Sequence, residues 1–171
     1  GHGTAENFLA ASRDDRIFSD EEAKLLDLGL VLHAEHGGGN NSTFSTRTVS
    51  SSYTDIFSAI AAGVGSLKGP RHGGANIRCK QMVDVVAENV KDWKDDNEIK
   101  SVLVRILNKQ VGDGSGLIYG MGHAVYTLSD PRAKLLKRVA RSLAEKSGMG
   151  DRLNRIESIE RLTPEVFRAV T

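Results

Sequence analysis

Cysteine is nearly absent from this sequence, since Cys79 is the single one among 171 residues. One cysteine cannot form a disulfide within the chain, and such sparse use suits a reducing compartment, so we expect a cytoplasmic protein. No apolar run approaches the roughly 18 residues of a membrane-spanning helix. No signal peptide is visible at the N-terminus either. The sequence therefore predicts no association with a membrane.

A surplus of charge of one sign is also missing. Lys and Arg number 23 against 22 Asp and Glu, which gives a net charge of +1. Nucleic-acid-binding proteins normally carry a basic excess or a basic stripe, so we expect no nucleic-acid partner. A composition of 39% hydrophobic and 26% charged residues is typical of a globular protein with a core.

Alternating strand patterns are the third absence, and every segment with a clear signal is helical. Ser19 and Glu22 form a capping box at one helix start, and Asp130 followed by Pro131 marks another. The leucine-rich helix after Ser19 is expected to be buried nearly all round. The predicted helices cover residues 4–12, 19–36, 42–52, 54–67, 77–90, 98–111 and 131–146, and a last one starts at 163–165. The fold class predicted is all-α and multi-helical.

Three histidines stand beside glycines, namely His36, His72 and His123. Imidazole transfers protons near neutral pH and can donate a hydrogen bond to a developing oxyanion. The glycines after His72 are expected to let the main chain come close to whatever the ring faces. We predict that the three histidines share one site. Each histidine also has a structural interpretation. His36 could cap a helix C-terminus, His72 could lie in a surface turn, and His123 could be a buried loop residue.

A metal site is a weaker hypothesis. His33 and His36 are three residues apart and could share a helix face with Glu35 nearby, but zinc sites on helices more often use a spacing of four. No cysteine cluster supports a metal. We expect no bound metal.

Arg132 and the glycine-rich segment 112–122 add binding chemistry. Arg132 follows the cap of a predicted helix, where its guanidinium could hold a carboxylate; the alternative is a solvated arginine of the first turn. The glycine-rich loop could wrap a nucleotide or a pantetheine arm through backbone groups, or could be a plain connector.

Four segments together resemble the citrate synthase family: residues 33–44 (HAEHGGGNNSTF), 69–76 (GPRHGGAN), 120–126 (GMGHAVY) and 130–132 (DPR). Their order and spacing match the family along nearly the whole chain. The resemblance implies an all-α homodimer with a large and a small domain. It also implies condensation of acetyl-CoA with oxaloacetate to citrate and coenzyme A, a reaction of the tricarboxylic acid cycle. Coenzyme A would take part as a substrate thioester, with no tightly bound cofactor.

The same resemblance assigns roles to the charged and titratable residues. His72 would be catalytic and would stabilise the enol of acetyl-CoA by a hydrogen bond to its oxygen. His123, also catalytic, would polarise the oxaloacetate carbonyl. His36 would bind oxaloacetate, and Arg132 would bind one of its carboxylates.

Smaller residues receive binding roles by resemblance as well. Asn40 and Ser42 match positions that line the substrate site, with Ser42 helping to hold the ring of the catalytic histidine. The segment that touches coenzyme A matches Gly120, Met121 and Gly122.

One family element has no match in this sequence. The catalytic base is an aspartate in an Asn-Val-Asp-like motif after the Asp-Pro-Arg, and no such motif occurs here. We therefore expect an internal fragment, truncated at both ends, with a partial large domain over residues 1–70 and an incomplete small domain over 71–171. Loss of a general base slows a reaction by roughly 10²–10⁴-fold, so the isolated chain is expected to be inactive.

Two alternatives to a citrate synthase stay open. A 2-methylcitrate synthase would run the same chemistry with propionyl-CoA. A non-catalytic helical module would bind coenzyme A or a dicarboxylate without turnover.

Overall fold

A computed structural model describes residues 3–34, 39–121 and 130–170. Over these ranges the chain forms eight helices and no strand, which confirms the all-α class. The helices are α1 (Thr4–Ser12), α2 (Asp20–His33), α3 (Asn41–Ser50), α4 (Ile56–Leu67), α5 (Ala75–Asn89), α6 (Asp96–Leu107), α7 (Pro131–Lys146) and α8 (Gly150–Val170). None of the helices described is both long and apolar enough to cross a bilayer.

The chain divides into two compact units. The first consists of Gly1–His36 and His123–Leu153, and the second of Gly37–Gly122 and Asn154–Thr171. These boundaries differ from a division at residue 70, and the large and small domains stay a prediction.

In the first unit, α2 packs against both α1 and α7. The predicted capping box is confirmed, because Ser19 Oγ accepts from the Glu22 N–H at 3.2 Å and Glu22 Oε2 accepts from the Ser19 N–H at 2.7 Å. The expectation that this helix is buried nearly all round is wrong. Only Ala23 is buried, while Leu30 and Val31 are exposed. Within the described residues, α1 and α7 are its only extensive helix contacts and leave the remaining leucine face open.

The second unit holds the core, where α5, α6 and the second half of α8 meet. The apolar residues of α5 and α6 recur at helical spacing, which turns one face of each helix inward. The buried cluster consists of Met82, Val83, Val86, Val90, Ile99, Val102, Leu103, Ile106, Ile118, Ile159, Leu162 and Val166. Full burial of one such side chain contributes roughly 1.5–3 kcal/mol, so this cluster is the main source of stability in the unit.

A pair of helices, α3 and α4, forms the other part of the second unit. The Ser/Thr-rich segment is helical as predicted, because Asn40 caps α3 and α4 packs along it. Gly63 makes the contact close: a Cβ at this position would overlap Thr46 Oγ1. The outer face of α4 is apolar and exposed, and Phe57 is 83% exposed.

The largest departures from the predicted helix boundaries are the start of α8 and the end of α6. No new helix starts at residues 163–165, because Pro164 lies inside α8, which runs without a break from Gly150. Proline removes one backbone hydrogen bond. The burial of Ile159, Leu162 and Val166 on either side of it outweighs that loss. Helix α6 ends at Leu107, four residues early, since Lys109 adopts a left-handed φ of 61°.

Candidate functional site

His72 lies in the turn that joins α4 to α5. The carbonyl oxygen of Gly69 accepts from the N–H groups of both His72 and Gly73 at 2.9 Å. Helix α5 begins at Ala75, directly after this turn. The imidazole, which is half-buried, is therefore anchored to the junction of two helices.

Two glycines make this turn possible by close packing of the backbone. A Cβ at Gly73 would overlap the carbonyl oxygen of Leu67, and a Cβ at Gly74 would overlap that of Pro70. These glycines let the turn fold back on the end of α4, which fixes the direction from which His72 leaves the backbone. The expectation that they also bring the main chain close to whatever the ring faces stays a prediction.

Ser42 holds the imidazole from the first turn of α3. Its Oγ lies 2.8 Å from His72 Nε2, and the donor in this hydrogen bond depends on the imidazole tautomer. When the hydroxyl donates to Nε2 of a neutral ring, the ring proton is on Nδ1. The contact expected between Ser42 and the histidine is present, and in that tautomer the opposite ring nitrogen is a donor.

The start of α3 is itself fixed by two asparagines. The side-chain oxygen of Asn40 accepts from the N–H groups of Ser42 at 2.9 Å and Thr43 at 3.1 Å. Asn41 Nδ2 donates to Ser66 Oγ at 2.7 Å, which ties this turn to the end of α4. The structure thus gives Asn40 a capping role, and its contact with substrate stays a prediction.

The segment predicted to touch coenzyme A begins at Gly120. This residue has a φ of 81°, and a Cβ on it would lie 2.9 Å from Cys79 Sγ, so a side chain here would be both strained and crowded. Met121 packs against the core. The neighbouring Gly122 and His123 lie outside the described residues.

Arg132 is engaged by the cap of its own helix. Its Nε donates to Asp130 Oδ1 at 3.0 Å and its Nη2 donates to Oδ2 at 2.7 Å, while the Arg132 backbone N–H donates to Oδ1 at 2.9 Å. The predicted capping by Asp130 is confirmed. The edge of the guanidinium expected to hold a substrate carboxylate holds this carboxylate instead, and its substrate role stays a prediction.

The other histidines add no described site. His33 Nδ1 lies 2.6 Å from the carbonyl oxygen of Gly29 in the same helix and can donate to it. Glu35 and His36 lie outside the described residues. In the described parts of the chain, no group of three or more His, Cys, Asp or Glu side chains could hold a metal ion. The structure therefore brings together Ser42 and His72 from the predicted set.

Sequence reasoning missed a polar network beside Gly120. Tyr119 Oη donates to Asp113 Oδ2 at 2.6 Å and accepts from Arg78 Nη1 at 3.1 Å. Bonds from Ser115 and then Tyr119 lower the pKa of Asp113 to about 2. A hydrogen bond to Tyr119 raises the pKa of Arg78 above its usual value. The only signal in the sequence was an aromatic residue, Tyr119, inside a glycine-rich loop. That signal does not predict a partner 41 residues away in the sequence.

These features define a class: all-α proteins that hold a histidine in a tight interhelical turn under a serine from a neighbouring helix. A family model described as citrate synthase, C-terminal domain, matches residues 1–171. The crystal structure of citrate synthase from Pyrobaculum aerophilum superposes with a TM-score of 0.71 at 31% identity, covering 94% of this chain and 37% of that one. The chain belongs to the citrate synthase family.

Curated relatives agree with this assignment. A citrate synthase of Deinococcus radiodurans is 37% identical over 147 residues, covering 83% of this chain and 34% of that protein. A 2-methylcitrate synthase of Shewanella oneidensis is 38% identical over 133 residues, covering 78% of this chain and 32% of its own length. The chain thus spans about a third of the length of the curated relatives it matches.

Proposed function

We propose that this chain forms part of an acyltransferase that condenses acetyl-CoA with oxaloacetate to give citrate and coenzyme A. The observation that carries the proposal is the Ser42–His72 contact at 2.8 Å, made inside a turn that the glycines fix. The family membership supports the reaction type. The substrates, the cytoplasmic setting and the absence of a tightly bound cofactor are parts of the same proposal.

His72 is assigned to the enol oxygen of the acetyl group. With Nε2 held by Ser42, a neutral ring donates from Nδ1, and a donor preorganised at the place where negative charge develops lowers the barrier. Removal of one such donor from other enzymes lowers kcat by roughly 10²–10³-fold. Since the serine fixes the ring before substrate arrives, the hydrogen bond to the enolate needs no reorientation.

The remaining residues complete the assignment. We propose His123 as the donor to the oxaloacetate carbonyl, and His36 and Arg132 as ligands of oxaloacetate. Arg132 would exchange Asp130 for a substrate carboxylate, or would share its guanidinium between the two. Asn40 and the segment 120–122 would line the oxaloacetate and coenzyme A sites.

The 171-residue chain alone is proposed to bind substrate without turnover, because its sequence lacks an Asn-Val-Asp-like motif. Calorimetry with oxaloacetate and with coenzyme A tests binding, and release of free coenzyme A thiol from acetyl-CoA tests turnover. Binding without thiol release is expected. Normal turnover by this chain alone would contradict the assignment of the base to a residue outside it.

The role of His72 is tested in the complete enzyme that contains this chain. A His72→Ala variant is expected to lose at least 10²-fold in kcat. His33→Ala serves as the control, because that residue is exposed and its Nδ1 bonds to the Gly29 carbonyl oxygen of its own helix. Retention of activity by His72→Ala would reject the site.

A 2-methylcitrate synthase is the second candidate, favoured by the Shewanella oneidensis relative at 38% identity. The two activities differ by one methylene in the acyl group, which changes specificity by only about 10–200-fold in an apolar pocket. Comparing kcat/KM for acetyl-CoA and propionyl-CoA decides between them. A chain that binds coenzyme A but supports neither reaction in the complete protein would be the non-catalytic module.

The homodimer is a further part of the proposal, and the outer face of α4 supports it. Apolar side chains at helical spacing stand exposed on one stripe, namely Ile56, Phe57, Ile60, Val64 and Leu67. A contiguous exposed apolar stripe of this kind marks an interaction surface. We propose that a second copy of the protein covers it.

Light scattering and sedimentation test this assembly. A Phe57→Glu variant is expected to shift the protein to monomer, since it places a charge in the apolar interface. Lys68→Glu is the control, because Lys68 lies beyond the helix end and outside the stripe. A Phe57→Glu protein that stays dimeric would place the interface elsewhere.

A further inference from the structure

The loop that leads into the predicted coenzyme segment is fastened to α5 by one tyrosine hydroxyl. Tyr119 Oη is 2.6 Å from Asp113 Oδ2, 3.1 Å from Arg78 Nη1 and 3.1 Å from Ser115 Oγ. A phenol has one proton to donate and two lone pairs, so Tyr119 can donate to Asp113 while it accepts from Arg78. We propose that Arg78, Tyr119 and Asp113 form a positioning clamp for Gly120 and Met121, the described part of the predicted coenzyme segment. This inference rests on the coenzyme role given to that segment above.

The loop needs such a fastening because glycine gives it many alternative conformations. Gly112, Gly114 and Gly116 have φ values of 87°, 72° and 74°. Glycine loses more conformational freedom on ordering than any other residue. The residues between the glycines supply the compensating contacts: Asp113 Oδ1 accepts from the Ser115 N–H at 3.0 Å, and Ser115 Oγ accepts from the Leu117 N–H at 3.2 Å.

The next residue of α5 holds the other side of the loop. Cys79 Sγ donates to the Tyr119 carbonyl oxygen at 3.6 Å, and a Cβ on Gly120 would lie only 2.9 Å from it. The Arg78 guanidinium carbon also lies 5.8 Å from the centre of the Tyr119 ring. Consecutive residues of α5 thus grip the side chain and the backbone of Tyr119, immediately before the predicted coenzyme segment.

The location of the clamp explains its use. Helix α5 starts three residues after His72. A loop that is bonded to residues 78 and 79 is therefore held at the same end of α5 as the catalytic imidazole. Positioning of the thioester against His72 then depends on a rigid helix, because the glycine loop is fastened to it. The clamp also lines a cleft of about 250 Å³, and the charged residues of that cleft, Arg78 and Asp113, are already joined through Tyr119.

A Tyr119→Phe variant removes the hydroxyl and keeps the ring. Because Cys79 is the only cysteine, is partly buried and donates to the Tyr119 carbonyl oxygen, its reaction rate with Ellman's reagent reports loop opening. We expect about a tenfold faster reaction and about a tenfold weaker Kd for coenzyme A by calorimetry. Helical circular dichroism recorded at the same temperature checks that the core stays folded.

Two matched variants complete the experiment. Tyr53→Phe removes a hydroxyl from a side chain that is 98% exposed and should leave both readouts unchanged. Arg78→Lys keeps a cationic donor for the one hydrogen bond to Tyr119 Oη, so both readouts should stay within about twofold of the parent. If Arg78 acted only through the shape of its guanidinium, Arg78→Lys would change the Cys79 rate and the coenzyme A affinity as much as Tyr119→Phe does.

Each outcome decides something. An unchanged Cys79 rate in Tyr119→Phe overturns the clamp. A faster rate with unchanged coenzyme A affinity overturns its positioning role. If the unaltered chain binds no coenzyme A, the proposed function of the segment fails, and the Cys79 rate alone then decides whether the clamp exists.

Discussion

Two regions of the second unit solve the problem of apolar surface in opposite ways. Helices α5, α6 and α8 turn their apolar faces toward one another, and Leu103 and Leu162 are fully buried. Helices α3 and α4 touch through small residues and leave the apolar stripe of α4 outside. The first region buries its own apolar surface, whereas the second leaves an apolar stripe exposed.

The difference shows what each region contributes to the site. His72 lies between them, where α4 ends and α5 begins. Its ring is held by Ser42 of the exposed pair, and its backbone leads into a helix of the buried core. The core supplies rigidity to the site, while the pair supplies the serine.

The largest expected effect comes from emptying the core. Leu162→Ala is expected to lower the free energy of unfolding by about 2–5 kcal/mol, because the side chain is fully buried and leaves a cavity. Leu67→Ala on the stripe of α4 makes the same chemical change at a position 51% exposed, and should cost under about 1 kcal/mol in the monomer. Urea unfolding measures both, and equal losses would erase the contrast between the two regions.

The next effect concerns the turn between the regions. Gly73→Ala is expected to cost about 1–3 kcal/mol, since its Cβ overlaps the carbonyl oxygen of Leu67. It should also displace His72, seen as a changed imidazole signal in ¹⁵N NMR. Gly29→Ala is the control: among the described residues, no atom beyond the backbone of its own helix lies within 4 Å of the new Cβ. A gain of about 0.5–1 kcal/mol is therefore expected in the helix. A silent Gly73→Ala would show that the turn yields easily.

A smaller effect tests the link across the junction. Ser42→Ala removes the partner of His72 Nε2 and should cost about 0.5–1.5 kcal/mol while shifting the Nε2 resonance. Ser45→Ala deletes a hydroxyl that donates to the Asn41 carbonyl within the same helix, so the His72 resonance should not move. If both variants shift the resonance alike, the link does not run through Ser42.

The smallest effect is a response to acid at the loop on the core side. Hydrogen bonds from Ser115 and Tyr119 lower the pKa of Asp113 from 3.8 to about 2. Since the folded-state pKa is depressed, its stabilising contribution is present above pH 3.8 and is lost as the pH falls toward 2. Asp113→Asn should flatten the unfolding free energy in this window. Asp55→Asn, at the cap of α4, should leave this loop-dependent part in place.

Local signals in the sequence were enough for most of the fold. Ser19 with Glu22, and Asp130 with Pro131, predict helix starts because a cap acts within three residues of itself. Pro164 misled the prediction for the opposite reason. Its effect on α8 is decided by burial against distant helices, which a local pattern does not contain.

In the candidate site, too, some contacts could be predicted from the sequence and others could not. The pairing of Ser42 with His72 came from a family resemblance, and their contact is present in the structure. The pairing of Arg132 with Asp130 was not predicted, because a capping carboxylate does not by itself show that it also binds the guanidinium two residues on. The Tyr119 network joins residues 41 positions apart, and no spacing in the sequence predicts it.

The single tryptophan makes the two regions optically distinct. Trp93 packs against the core cluster, and the Arg155 guanidinium carbon lies 5.3 Å from the centre of its ring. Intrinsic tryptophan fluorescence therefore senses the α5–α6–α8 core and carries almost no direct signal from α3 and α4. A thermal melt followed by tryptophan fluorescence will report unfolding of this core. A second reporter on α4 is needed to show whether the Ser42–His72 contact is lost at a lower temperature.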